Sequence, residues 1–362
     1  MTATRKKNHD RRQDLLNWYD QHKRDLPWRR SDDAYAVWVS EIMLQQTRVE
    51  TVLPYFERFL TRFPTVESLA RAEVEEVLGV WSGLGYYRRA RLLHQAARRV
   101  SSGSGRLPQE VKRLRELPGI GAYTAAAVGS MAFGVVEPAI DGNVERVISR
   151  YLGVGADPRR ARARRQIFQG AKDLLDEQRP GDSNQALMEL GATLCRPRKP
   201  KCSKCPLRLP CRGRISGDPE AFPVARPRPA SIRVRRRVAI VESQGRVLLF
   251  RRPETSETLP GMWELPWIEH GEGAGGEERF ADRYGGRWQL GERLGKVKHS
   301  ITHRRFEVEI LAARLETGET VADGSEAGWY SPRDLENLPV SSMVRKALVV
   351  ADVESAALSS RE

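Results

Sequence analysis

Cysteine is nearly absent. The 362 residues contain four, all between Cys195 and Cys211. That excludes a disulfide framework spread through the fold, and a tight group of thiols in an intracellular chain points to a metal site. No run of 18 apolar residues occurs, which excludes a membrane-spanning helix. The charged opening Met1–Arg12 lacks the apolar segment of a secretory signal, so the chain is expected to be intracellular. Acidic residues are in deficit: 47 Asp and Glu stand against 61 Lys and Arg, a net charge of +14. A surplus of that size fits a polyanionic partner or serves solubility. Its placement is uneven. Residues Arg196 to Arg237 hold 14 Lys or Arg against Asp218 and Glu220.

What is present divides the chain. Up to residue 212, apolar residues recur at helical spacing in Arg11–His22, Ala34–Thr47, Val49–Arg62, Val74–Leu78, Arg88–Val100, Thr124–Phe133, Val144–Leu152, Arg160–Leu175 and Gln185–Leu194, with Gly or Pro at the breaks. Residues 213–231 read as a linker, with four Pro between Ser216 and Ser231. Beyond it the period shortens. Val238–Val241, Val247–Phe250 and Phe306–Arg314 predict strands, and Ala347–Val353 a last helix, so residues 232–354 read as an α+β domain.

The cysteines follow the spacing Cys195-x6-Cys202-x2-Cys205-x5-Cys211. Four thiolates hold either a four-iron four-sulfur cluster or a zinc ion. Zinc sites usually pair two short dyads, and only Cys202 and Cys205 form one here, which favours iron and sulfur. Lys199, Lys201, Lys204 and Arg208 lie between, at a spacing suited to DNA phosphates. Leu117-Pro-Gly-Ile-Gly121 separates two helical stretches. Gly119 and Gly121 allow a tight turn whose free N–H groups suit a phosphate. Asp141 and Asn143 precede a helix, and Asp141 alone reads as its N-cap. Glu41 sits among Trp38, Val39, Ile42 and Leu44. It is either a solvated residue beside Ser40 and Gln45 or a part-buried acid kept protonated by its surroundings.

Together these residues resemble the adenine DNA glycosylases, the MutY family. The motifs Leu26-Pro-Trp-Arg29, Trp38-Val-Ser-Glu-Ile-Met-Leu-Gln-Gln-Thr47, Gly83-Leu-Gly-Tyr-Tyr-Arg-Arg-Ala-Arg91 and Leu117-Pro-Gly-Ile-Gly121 through Asp141-Gly-Asn-Val-Glu-Arg146 match in order, as does the cysteine spacing. The resemblance implies an all-α endonuclease III-like helix-hairpin-helix catalytic region over 1–212, with the hairpin at about 114–133 and a cluster loop at 195–211. An α+β Nudix-like domain follows. It implies a [4Fe-4S] cluster on Cys195, Cys202, Cys205 and Cys211, and a monomer acting on double-stranded DNA with adenine opposite 8-oxoguanine or guanine. No membrane is involved, and the expected place is the cytoplasm, at the nucleoid through its DNA.

The same resemblance assigns roles. Glu41 is the acid that protonates adenine and Asp141 the ion that stabilises the sugar cation. Asn143 orients Asp141 or the water, and Tyr123 hydrogen-bonds near the sugar. Gln46, Leu84 and Tyr86 fill the gap left by the flipped base. Thr47, Gly119 and Gly121 meet DNA, and Trp28 and Arg29 line the base pocket. Endonuclease III carries a Schiff-base Lys where this chain has Tyr123, so a monofunctional glycosylase is implied. In the Nudix-like half, Glu278, Arg279, Asp282 and Arg283 take the positions of the metal-binding helix, and an arginine in a metal cage is unfavourable. That half therefore reads as a binding module, with Thr302 and His303 recognising the lesion and Ile301 in place of the family's usual aromatic. Two other readings are a glycosylase for another mismatch or a damaged pyrimidine, and a cluster-bearing DNA-binding protein without catalysis.

Overall fold

Helices fill the spaces between the Gly and Pro breaks. The computed structural model describes residues 3–31, 33–224, 230–256, 258–270, 275–301, 303–316, 326–331, 333–336 and 338–353. Its helices up to Ile215 are α1 (Ala3–His22), α2 (Ala34–Leu44), α3 (Val49–Arg62), α4 (Val66–Arg71), α5 (Val74–Val80), α6 (Arg88–Ser101), α7 (Val111–Leu114), α8 (Ala122–Phe133), α9 (Gly142–Leu152), α10 (Ala161–Lys172), α11 (Pro180–Thr193) and α12 (Arg212–Ile215). Contacts divide the chain into two units. One takes Met1–Ala70 and Leu92–Pro227, the other Arg71–Arg91 and Arg228–Glu362.

In the first unit, α2 is apolar on every side, and Tyr35 through Met43 are all buried. A helix of that kind belongs inside a core. Asp33 caps it, accepting the Tyr35 N–H at 3.0 Å. It packs against α8, whose residues Thr124 to Ser130 are buried and mostly small. Helix α9 is one-sided instead. Val144, Val147, Ile148 and Tyr151 lie on one stripe and pack with Leu15 and Tyr19 of α1, Ile167 of α10 and Leu187 and Leu190 of α11. The sequence pattern carries α2 on to Thr47, but the helix stops at Leu44 because Gln46 takes a left-handed φ of 58°. Helix α11 starts five residues before its apolar pattern, with Pro180 in its first turn, where a missing N–H costs nothing.

In the second unit a mixed sheet carries the core. Its strands are β1 (Ile232–Ser243), β2 (Arg246–Arg251), β3 (Trp263–Glu264), β4 (Trp267–Glu269), β5 (Arg287–Ile301), β6 (Arg304–Glu316) and β7 (Ala327–Tyr330). The order is β3-β2-β1-β6-β5, with β4 beside β1 and β7 beside β2. Strands β1 and β6 run parallel, and β5 and β6 form an antiparallel hairpin. Strand period places Val238 and Ile240 on one face, with Val344, Ala347 and Leu348 of helix α14 (Ser342–Val350). Ala239 and Val241 face the other way, toward Phe280 and Tyr284 of helix α13 (Gly276–Tyr284).

The packing ranks two leucines of the first unit. Leu187 is fully buried in the α1–α9–α11 core, and Leu209 is 75 % exposed. Leu187→Ala should cost about 2–5 kcal/mol of urea-unfolding free energy. Leu209→Ala should stay within about 0.5 kcal/mol. Equal effects would contradict this packing.

Candidate active site

A phenol from α8 hydrogen-bonds a carboxyl group on α2, and a second carboxyl at the start of α9 acts on both through its charge. Glu41 is 4 % exposed, so the solvated alternative is ruled out. Tyr123 donates from its hydroxyl to Glu41 Oε2 at 2.6 Å and lies 3.2 Å from Met188 Sδ of α11. Burial pushes the Glu41 carboxyl up to about 7. The Tyr123 hydrogen bond and the charge of Arg29 oppose that rise, and the charge of Asp141 adds to it.

Asp141 is the N-cap of α9, accepting the Val144 N–H at 2.7 Å. Its other oxygen accepts from Asn143 Nδ2 at 2.9 Å. Burial raises this carboxyl above its ordinary value too. The Val144 N–H, the Asn143 side chain and amide, and the charge of Arg146 all oppose that rise. Glu41 has one such hydrogen bond, so the two carboxyls sit in unequal surroundings. Asn143 Oδ1 in turn accepts from Arg146 Nη2 at 2.9 Å, and the same guanidinium reaches Gly191 O at 2.8 Å and Cys195 O at 2.8 Å. A Cβ at Gly191 would stand 2.6 Å from Asn143 Cβ, so this close approach of α11 to α9 needs glycine.

Trp28 is buried edge-on against Phe56. Arg29 is held by Glu189 Oε2 at 2.8 Å and by the Arg24 carbonyl, its cation lying over the Tyr19 ring. Glu189 is 1 % exposed. Burial raises its carboxyl, but hydrogen bonds from Arg24 and Arg29 outweigh that and keep it ionised. Gln46 is exposed just past the end of α2, and Thr47 is half-buried, its hydroxyl 3.4 Å from Gln45 O. In the hairpin between α7 and α8, Gly119 and Gly121 are exposed. Gly119 has a φ of 77°, and a Cβ there would come 2.8 Å from Leu92 Cβ. Leu84 and Tyr86 belong to the second unit, where Leu84 is buried and Tyr86 is 44 % exposed.

The four cysteines form no disulfide and line a single cavity with Arg150, Leu194 and Arg208. Leu207 anchors their loop in the core. Arg150 of α9, 2 % exposed, donates to the carbonyls of Arg196, Pro197 and Phe222 and lies 3.5 Å from Cys195 Sγ. Among the described residues no three His, Cys, Asp or Glu gather as a single metal ion needs. Burial pushes the Cys205 thiol up to about 12, and Cys211 is raised as well, so thiolates here require a compensating cation. An all-sulfur donor set around one cavity is compatible with a multi-iron cluster.

In the second unit, Arg283 of α13 stacks on Trp267 at 3.8 Å. His303 is exposed in the turn of the β5–β6 hairpin, and Thr302 lies outside the described residues. Sequence reasoning missed Glu189, Met188 and Gly191, and it gave no role to Arg146. The spacing Asn143–Arg146, one turn of α9, was the available signal for the last.

Residues 39–171 match the family model of the HhH-GPD superfamily base excision DNA repair proteins, and residues 237–349 match the NUDIX domain. An adenine DNA glycosylase of Rattus norvegicus is 36 % identical over 400 residues, spanning 94 % of this chain and 77 % of the relative. The Homo sapiens adenine DNA glycosylase is 36 % identical over 399 residues, spanning 93 % and 73 %. The solved structure of a thermostable thymine-DNA glycosylase superimposes with a TM-score of 0.52 at 31 % identity, over 58 % of this chain and 97 % of that one.

Burying Glu41 makes stability depend on pH with a definite sign. A carboxyl raised from 4.5 to about 7 binds its proton more tightly in the folded state. The stabilisation is complete below about 4.5 and is lost as pH rises through about 7, a swing on the order of 3 kcal/mol. Glu41→Gln has no such loss. Its unfolding free energy relative to the parent should therefore increase between pH 5 and pH 8, as read by urea titration. A difference that stays flat across that range would mean Glu41 is solvated.

Proposed function

The chain belongs to the adenine DNA glycosylase family, and from that premise we propose that it excises adenine paired with 8-oxoguanine or guanine, by acid-assisted hydrolysis of the N-glycosidic bond. The observation that carries this reading is the unequal surroundings of two buried carboxyls. Burial raises Glu41 to about 7, so its protonated form is populated near neutral pH, and at Asp141 several donors oppose the rise that burial imposes. Such a pair supplies one acid and one anion, as glycosidic bond cleavage requires.

The adenine first leaves the stack. Glu41 then gives its proton to adenine N7, and the bond from N9 to the sugar breaks with its electrons passing to the base. Asp141 faces the developing sugar cation, held in place by Asn143 and the α9 N-terminus. Water adds to the sugar carbon, and the ionised Glu41 takes up the released proton. Tyr123 fixes the Glu41 carboxyl by its hydrogen bond and leaves no amine for a Schiff base, so the product is an intact abasic strand. Arg29 belongs to the electrostatic setting of Glu41 in this reading, with Trp28 as the packed wall beside it. Gln46, Thr47 and the exposed Gly119–Gly121 turn meet the DNA. Tyr86 enters the gap left by the base, backed by buried Leu84. His303 and Thr302 are assigned to recognition of the lesion opposite the adenine.

Cys195, Cys202, Cys205 and Cys211 would hold a [4Fe-4S] cluster. When bound, that group supplies the positive charge that thiolate formation needs and the cross-links that shape the loop. Lys201, Lys204 and Arg208 are exposed on this loop and suit DNA phosphates. No helix among the described residues is long and apolar enough to cross a membrane. The proposed place of action is the cytoplasm, at the nucleoid, as a monomer.

Single-turnover excision from a duplex with adenine opposite 8-oxoguanine tests the two carboxyls. Glu41→Gln and Asp141→Asn should each lose at least about two decades in rate, while duplex affinity changes far less. Asn caps a helix as well as Asp, so parent-like excision by Asp141→Asn would leave that residue a cap and nothing more. In the parent enzyme the rate should fall as pH rises through about 7, when Glu41 loses its proton.

Metal analysis checks the cysteine loop. Anaerobically purified protein should contain about four iron and four sulfide per chain and absorb broadly in the visible blue. Cys202→Ser should lose iron and weaken duplex binding. Stoichiometric zinc without iron would exclude the cluster.

A further inference from the structure

We propose that the second unit clamps the Gly83–Tyr86 loop through the carbonyl of Val340, with Ser82, Tyr87 and Arg345 as positioning residues for the side chain that enters the DNA. The inference rests on the reading above that Tyr86 meets DNA, and it adds what holds that loop in shape.

The loop is held in an unusual backbone conformation. Gly83, Gly85 and Tyr86 have φ of 97°, 79° and 51°. A non-glycine residue in the left-handed region persists only where its surroundings over-determine it. Those surroundings come from the C-terminal part of the same unit, since Arg71–Arg91 groups with Arg228–Glu362. Ser82 and Tyr87 flank the loop and are 2 % and 5 % exposed. Both hydroxyls donate to one acceptor, Val340 O, at 3.2 Å and 2.9 Å. The Tyr87 oxygen also accepts the Gly83 N–H at 3.1 Å, which closes the loop on itself. The Ser82 oxygen accepts from Arg345 Nη2 at 3.0 Å, and that guanidinium is fixed in turn by Leu335 O at 2.8 Å.

The acceptor is itself immobilised. Val340 is fully buried, bridges to Trp263 and stands one residue before Ser341, the N-cap of α14. Ion pairs repeat the pattern on either side of the loop. Glu75 pairs with Arg251, and Arg91 reaches Glu254 at 3.1 Å and Pro260 O at 2.7 Å. Within the loop, Gly85 O accepts from Trp81 Nε1 and Arg89 Nη2, and the Arg89 cation lies over the Tyr86 ring. Tyr86 is thus an exposed ring on a short arch tied at both feet. A pre-shaped arch loses less conformational freedom when its ring enters the duplex.

The test uses the full chain. In Ser82→Ala/Tyr87→Phe both donors to Val340 O are gone. Losing two buried hydrogen bonds corresponds to a change of at least about tenfold, or about 1.4 kcal/mol. Amide hydrogen exchange at residues 84–86 of the DNA-free protein, leaving out Gly83, whose N–H loses its own acceptor in Tyr87→Phe, should therefore accelerate at least about tenfold, with α8 amides unchanged. Base extrusion, followed by 2-aminopurine fluorescence opposite 8-oxoguanine, should slow by a similar factor, with duplex Kd moving less than about threefold. Arg345→Met should shift both in the same direction by less, with partial recovery in Arg345→Lys, which keeps the readout if the double variant fails to fold. Unchanged exchange overturns the clamp. Faster exchange with parent-like extrusion also overturns it, provided that Tyr86→Ala slows extrusion. If Tyr86→Ala leaves extrusion unchanged, the reading of Tyr86 is what fails, and the positioning role falls with it.

Discussion

The catalytic unit is organised around one unfavourable placement, the Glu41 carboxyl inside an apolar helix. An ionised carboxylate there would need several strong donors, and Tyr123 is the one that hydrogen-bonds it. Its carboxyl is therefore raised to about 7, so the protonated form that general acid catalysis needs is populated near neutral pH. This requirement explains much of the neighbourhood. Helix α2 must be apolar on all sides to dehydrate the group, and the small residues of α8 bring Tyr123 within hydrogen-bond reach. The nearby cation of Arg29 would favour the ionised form, and Glu189, itself buried, offsets its charge through an ion pair at 2.8 Å.

Helix α9 answers the opposite requirement. The proposed mechanism asks Asp141 to stay ionised although burial raises it too. Its position as N-cap supplies a backbone donor and the positive end of the helix dipole, and Asn143 adds a side-chain donor. In the proposed mechanism the cap and the anion are one arrangement, since the donors that start the helix also oppose the rise that burial imposes on the carboxyl. The same helix carries Arg146 and Arg150 to the cysteine loop, where both meet main-chain carbonyls. A single rigid element thus sets the register of the carboxylate and of the loop.

Much of this was legible in the sequence. The apolar stretch around Glu41, the cap signature of Asp141 and the clustered cysteines each follow from a local rule, so each could be read without the fold. Strand β5 could not. Among its described side chains only Trp288 and Val297 are buried, and register shifts between Leu290 and Gly295 break the alternation that identifies a strand. Glu189 also escaped notice. It sits in the middle of an ordinary helical pattern, and its importance comes from Arg24 and Arg29, about 160 residues earlier. Pairings over such distances leave no periodic trace.

Contacts and sequence order group residues 71–91 differently. Residues 71–91 lie among helices in sequence, and their motif reads as part of the helical region. Their contacts assign them to the unit that contains the sheet. The physical reason is where their polar groups find partners. Ser82 and Tyr87 are buried hydroxyls, and a buried hydroxyl must be bonded. The acceptor they share is a carbonyl more than 250 residues away in sequence. Glu75 and Arg91 likewise find their opposite charges in the second unit. A boundary drawn at the composition shift near residue 213 separates these donors from their acceptors. The loop bearing Tyr86 is thus encoded in one region of the chain and given its shape by another.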